Sequence, residues 1–386
     1  MRNLYIIICS IFLLFPHQVF GFQINESNPY YEGGGQIVRV QLQTHTPEEA
    51  DDDEAVRNTF DVVPEAIANA KNDELYDMTI HNRFGKFTAK KPAVDQLEED
   101  INEALEWVSD DNLLHTVIVA RGKPSVVHPF LNSALKIRNH LELLNYLEEN
   151  KKHQGLSSFN FPTHMNYDEP IIKKGRADIK HMTDDEFVER LEHLDMVEVY
   201  TGIVERINED YDASSKLDLA IDNGKYLQYS GGEPDASSKL DLALDNGKYL
   251  LAVASDDAHS IKDFGRAWIN VFYDKKFNKG NKDQQSEVFS NILKGNFYPT
   301  TGVVLNVIRR KDDTIQVASE NAQRVKVIGN PGGVLFESAL KDGRFEFELT
   351  DEVTKENEFI RLEFFGTKSS GKKTKAWTQP FRTKIQ

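Results

Sequence analysis

One cysteine, Cys9, is all the thiol chemistry this chain of 386 residues offers, and it lies inside the N-terminal apolar run. The rest of the chain therefore has no disulfide, no thiolate nucleophile and no cysteine zinc site to draw on. Any ligating or catalytic group has to be His, Asp or Glu. Positive charge is also scarce. Forty-six Lys and Arg stand against 62 Asp and Glu, a net charge of −16, which argues against nucleic acid as a partner. A small phosphorylated ligand stays compatible with that charge, because a bound cation inverts the field locally. Beyond the N-terminus no apolar run approaches membrane length, so no membrane span is expected in the mature chain. A hydrophobic content of 39% is enough for a packed core, which sets the chain apart from disordered sequences.

At the start, Arg2 precedes an apolar run from Leu4 to Phe15, and Val19-Phe20-Gly21 ends in a small residue. That pattern predicts a secretory signal peptide over residues 1–21, and hence a secreted or periplasmic protein.

The chain is organised around Leu250-Leu251-Ala252-Val253-Ala254-Ser255-Asp256-Asp257-Ala258-His259. The apolar run follows Gly247, a helix-ending residue, and reads as a strand buried on both faces. Functional groups of α/β folds gather at the carboxyl ends of strands. Asp257 and His259, two apart on an extended segment, share a side there and offer one oxygen and one nitrogen to a divalent ion. The same logic recurs three times. Ile37 to Leu42 runs into Gln43-Thr44-His45, Leu75 to Ile80 into His81, and Ser125-Val126-Val127 into His128. After the first of these comes the acidic run Glu48 to Glu54, in which Asp51, Asp52 or Asp53 could fold back as a ligand, although such runs are more often solvated loops. Four strand ends with histidines converge only if the sheet closes on itself, because a barrel gathers its strand ends at one rim.

Between these strands lie helical periods at 94–108, 135–147 and 187–194. Asp212 through Leu227 recurs as Asp235 through Leu250, with Ile221 replaced by Leu244. Two copies are too few for a solenoid, so this is a local duplication of one helix. Only the second copy continues into Leu251 and the strand of the site. From Val303 onward the alternation gives way to short apolar runs at 305–308, 315–318, 325–328, 334–337, 345–349 and 360–365, broken by turn residues, which predicts an antiparallel β module over 303–386.

Taken in order, Gln43-Thr44-His45-Thr46, Thr79-Ile80-His81-Asn82, Val127-His128-Pro129, Val197-Glu198-Val199-Tyr200-Thr201-Gly202, Ala254 to His259, Phe264-Gly265-Arg266-Ala267-Trp268 and Phe297 to Gly302 resemble the PHP (polymerase and histidinol phosphatase) superfamily, in particular its secreted metal-dependent phosphoesterase-like members. The resemblance spans about residues 37 to 302. It implies a distorted, TIM-like (β/α)7 barrel over 36–302, followed by a sandwich-like β module. It implies one to three divalent ions of zinc, manganese or iron held by His45, Asp51, His81, His128, Asp257 and His259. It also implies a metal-activated water near Asp257 and His128 that attacks a small phosphorylated substrate. The departures are specific. Gln43 stands where the family has its first histidine, Ile80 where it has an aspartate, and no strand between His81 and His128 supplies the usual bridging glutamate. An amide binds transition metals more weakly than an imidazole. The alternative reading is therefore a secreted binding protein that has lost catalysis.

Overall fold

The computed structural model describes residues 24–42, 70–71, 74–79, 81–82, 115–117, 124–128, 156–159, 188, 194–202, 205, 235–258, 261–279 and 281–384. Strands β1 (Gln36–Gln41), β2 (Met78–Thr79), β3 (His81–Asn82), β4 (His115–Val117), β5 (Pro124–His128), β6 (Leu156–Phe159), β7 (Met196–Thr201) and β8 (Leu251–Ser255) come first. Helix α1 (Ser237–Asp245) enters just before β8. After it follow β9 (Trp268–Tyr273), helix α2 (Lys282–Leu293) and β10 (Phe297–Thr300). The remainder is β11 (Leu305–Lys311), β12 (Thr314–Ser319), β13 (Ala322–Gly329), β14 (Gly333–Ala339), β15 (Arg344–Glu348), short helix α3 (Asp351–Glu356), β16 (Phe359–Thr367), β17 (Lys373–Trp377) and β18 (Phe381–Arg382).

The expected (β/α)7 barrel does not form. Among the described residues 44% lie in strands and 20% in helices, with only three helices, and most strand pairings are antiparallel. Parallel ladders occur between β1 and β2, β3 and β4, β6 and β7, and β7 and β8. Between them, β5 runs against both β4 and β6, and β9 runs against both β1 and β10. The reason for the first reversal is length: residues 118–123 are too few for the crossover of about a dozen residues that parallel neighbours require. The amphipathic segments at 94–108 and 135–147, which suggested helices between parallel strands, lie outside the described residues. No helix among the described residues is long and apolar enough to cross a membrane.

One six-stranded sheet runs β3-β4-β5-β6-β7-β8, and a larger one runs β14-β13-β16-β17-β10-β9-β1-β2, with β18 beside β16. The larger sheet passes without a break through residue 302, because β10 bonds to β17. Strands β11, β12 and β15 form a third sheet, and Val317, Ile315 and Phe345 from it pack with Val325, Leu362 and Phe364 into one apolar core. A second core gathers Val38 and Val40, Leu251 and Val253, Ile269 and Val271, and the inward face of α2.

Strand β8 ends the six-stranded sheet, and an open edge buried in protein would strand its peptide groups. Side-chain amides close it. Gln379 accepts from the Ala252 N–H at 2.6 Å and donates to the Ala252 carbonyl at 2.9 Å and to Phe297 of β10 at 3.2 Å. Gln41 of β1 accepts from the Asp256 N–H at 3.2 Å. The Ala376-Trp377-Thr378-Gln379-Pro380 tail is thus bound into the edge of the strand that carries the site.

Helix α1 is the second copy of the duplication, as its continuity with Leu251 required. The chain leaves β7 and returns at Asp235, whose backbone bridges Tyr200, and the Ala236 N–H donates to Val199 at 2.8 Å. Gly247, with φ of 73°, then ends the helix turn, its N–H bonded to Leu244 at 2.9 Å. The first copy lies outside the described residues. Deleting 212–234 joins Tyr211 to an intact second copy and only shortens the connection into α1, a change of small entropic cost. The deletion variant is expected to keep the far-ultraviolet circular dichroism and cooperative melting of the full chain. Loss of cooperative melting would mean that the first copy is the one packed against β7.

Candidate functional site at the end of β8

All five residues of β8 are buried, and burial continues through Ser255, Asp256 and Asp257, whose exposures are 2%, 0% and 1%. Three polar side chains in succession at such depth are costly unless each is satisfied. Asp256 is satisfied four times. Its Oδ1 accepts from the N–H groups of Arg266 at 2.7 Å and Ala267 at 2.8 Å, and its Oδ2 accepts from the Gly265 N–H at 2.9 Å and from the Tyr76 hydroxyl. Burial pushes this carboxyl up to about 6, against the pull of Tyr76 and the three amides. Burial, reinforced by the Asp256 charge, likewise pushes the Tyr76 phenol up. Asp256 is therefore a clasp that fixes the Gly265-Arg266-Ala267 entry to β9. The spacing between Ser-Asp-Asp-Ala-His and Gly-Arg-Ala-Trp has a structural cause, which the sequence pattern alone did not disclose.

Gln41 completes the clasp from β1. Its amide donates to the Ala267 carbonyl at 3.3 Å, and its Oε1 also accepts from the Leu42 N–H at 2.9 Å. Beside it, the Ser255 hydroxyl donates to Glu198 Oε1 at 2.5 Å, and Glu198 is 1% exposed on β7 where the β7–β8 register shifts. Gly202 is required here. A Cβ at that position would sit 2.7 Å from Arg266 Cβ and 3.1 Å from the Asp256 backbone.

Asp257 differs from its neighbour. Its φ is 49°, the left-handed region that a short acidic side chain tolerates better than most. Backbone held in that region while fully buried is over-determined by its surroundings, and such positions concentrate at functional sites. Of the other residues singled out from the sequence, His81 and His128 lie on described strands, whereas His45, Asp51 and His259 lie outside the described residues. The strand register relates the first two through His115, to which the sequence gave no role. His81 pairs with His115 across β3 and β4, and His115 pairs with His128 across β4 and β5. His81, His115 and His128 thus occupy opposed register positions on three neighbouring strands. His115 carried no sequence signal beyond its type; only pairing reveals it.

Among the described residues no cluster of three or more His, Cys, Asp and Glu side chains is poised as a metal site. Imidazole and carboxylate are the nitrogen and oxygen donor types that zinc, manganese and iron accept. No protein-family model matches the chain, and no curated protein does.

Proposed function

We propose that this chain is a metal-dependent phosphoesterase of the PHP kind in its chemistry, acting on a small phosphorylated substrate outside the cytoplasm. The observation that carries the reading is the fully buried, left-handed Asp257 at the end of β8. His45, Asp51, His81, His128, Asp257 and His259 would hold zinc, manganese or iron. When bound, such an ion lowers the pKa of a water to about 7 and neutralises charge on a phosphoryl oxygen.

The chain's own part is placement. Asp257 offers its carboxylate from a backbone fixed on one side by β8 and on the other by the Asp256 clasp, so little reorganisation is needed on binding. Tyr76 and the amides of 265–267 saturate Asp256, which fixes the backbone next to Asp257. The apolar run of β8 keeps water from the inner side of the site and strengthens electrostatic interactions there.

Purified chain supplied in turn with manganese, zinc and iron is expected to hydrolyse a member of a panel of phosphomonoesters and phosphodiesters, to stop on chelation, and to recover with one of the three ions. No turnover together with no bound metal would reject the enzyme and leave the binding-protein reading.

A further inference from the structure

Strand β14 ends the larger sheet: among the described residues it bonds to β13 on one side and to no strand on the other. Its sequence, Gly333-Val334-Leu335-Phe336-Glu337-Ser338-Ala339, has neither the proline nor the lysine that commonly guards such an edge. Its one charge, Glu337, is paired with Arg324 and Lys326 of β13. Five large apolar side chains are exposed among the described residues, and three of them stand here in succession, Val334 at 53%, Leu335 at 41% and Phe336 at 47%. Phe336 already stacks on Phe345 of β15 with ring centres 6.3 Å apart, and β15 is itself an edge of the third sheet.

Charge at the two ends of the strand decides what this edge fits. At its start, Asn330 holds two acidic residues: its Nδ2 donates to Asp245 Oδ1 at 2.9 Å, and its Oδ1 accepts from the Glu358 N–H at 2.7 Å. Asp245 has no cation at ion-pair distance among the described residues, and the Glu358 carboxylate shares Arg382 with Glu26. At the far end, Lys341 and Arg344 bridge across the turn into β15; both are exposed, and neither pairs with a carboxylate among the described residues. Asp342 in the same turn offsets only one of these two cations. The edge is therefore negative where it begins and positive where it ends. A parallel copy would bring like ends together, whereas an antiparallel copy brings opposite ends together.

We propose that β14 pairs with β14 of a second copy of this chain, antiparallel and about a two-fold axis, with Phe336 opposite Phe336. In that register Lys341 falls opposite Pro331, next to the Asn330 that holds Asp245, and symmetry makes the same contact at both ends. The free peptide groups of the two edges satisfy each other, and Val334, Leu335 and Phe336 of both copies leave water. Two chains of net charge −16 repel at long range, so pairing depends on this local complement. A seven-residue ladder is short, and the dimer should dissociate on dilution. Neither the metal nor the phosphoesterase reading enters the argument.

Sedimentation velocity of the full chain over a concentration series, with amide exchange of residues 333–339 read at its two extremes, tests the pairing. Wild type is expected to pass from monomer to dimer as concentration rises, and the β14 amides to exchange at least about tenfold more slowly in the dimer. Leu335→Lys is expected to weaken the dimer at least about tenfold, and Ile261→Lys, at an exposed apolar residue elsewhere, to leave it unchanged. Lys341→Glu and Asp245→Lys should each weaken it, and the double variant, which swaps the two charges, should recover most of the wild-type affinity. A wild type that stays monomeric would overturn the proposal and leave the edge to a different chain. A Leu335→Lys protein that dimerises like wild type, or dimerisation without slowed exchange at β14, would overturn it too. Assembly beyond the dimer would contradict the two-fold closure, and a double variant that fails to recover would contradict the antiparallel register.

Discussion

Arg361→Ala is expected to destabilise the protein by about 3–5 kcal/mol, the largest loss of stability expected from one residue here. The Arg361 guanidinium is 1% exposed and holds Asp241 in a two-point contact, Nε to Oδ1 at 2.5 Å and Nη2 to Oδ2 at 2.6 Å, while Nη1 donates to Glu363 Oε1 at 2.7 Å. Burial opposes its charge, but the two carboxylates outweigh that and hold it protonated. Removing the guanidinium would leave two anions underground without a cation. The consequence is topological as well as local, because Asp241 lies on α1 and Arg361 on β16, so this contact ties the helix before β8 to the sheet of the C-terminal strands. Lysine at 361 should recover only part of the loss, since it cannot make the two-point contact. A chemical denaturation series reads the effect directly, and a fall in melting temperature on the order of 10 °C should accompany it. A loss below about 1 kcal/mol would show that α1 is not fastened to β16 in this way.

His115→Ala and His128→Ala are each expected to lower kcat/KM for the phosphoester by at least about a hundredfold, since even outer partners of metal ligands cost 10- to 100-fold when removed. The two residues are directly opposed across β4 and β5, and both lie on the row that begins at His81. Loss of either should reduce the rise in melting temperature that saturating metal gives the wild type, because an ion that binds only the folded state stabilises it in proportion to its affinity. Their effects should also fail to add, as expected of groups acting on one centre. Additive, small losses would place the row among ordinary sheet residues.

Much of the local structure around the site was legible. Leu251–Ser255 is the doubly buried strand that its composition indicated, Gly247 ends the helix it was read as ending, and the second copy of the duplication is the one that feeds β8. The apolar runs beyond Val303 likewise mark β11 to β16 to within a few residues. What the periodicity could not carry was direction. A buried strand looks the same whether its neighbour is parallel or antiparallel, so the run of Ser125-Val126-Val127 into His128 gave no sign that β5 pairs antiparallel with β4 and β6. The roles at the strand end were hidden for a similar reason. Asp256 and Asp257 are adjacent carboxylates in sequence. One is consumed by backbone amides that arrive nine or more positions later, at 265–267, and the other turns left-handed. Gln41 and Gln379 gave no sign that their side chains would stand in for a missing strand beside β8, because hydrogen bonds from amide side chains to distant backbone have no sequence period. His115 was invisible until the strand register placed it between His81 and His128.

The central claim is that the histidine row and the end of β8 share a divalent ion. Elemental analysis of the full chain after reconstitution and desalting, beside a variant carrying both Asp257→Ala and His259→Ala, tests it most directly. The account predicts at least one equivalent of zinc, manganese or iron in the wild type and most of it lost from the variant. A wild type without metal, or a variant that keeps as much as the wild type, would contradict it.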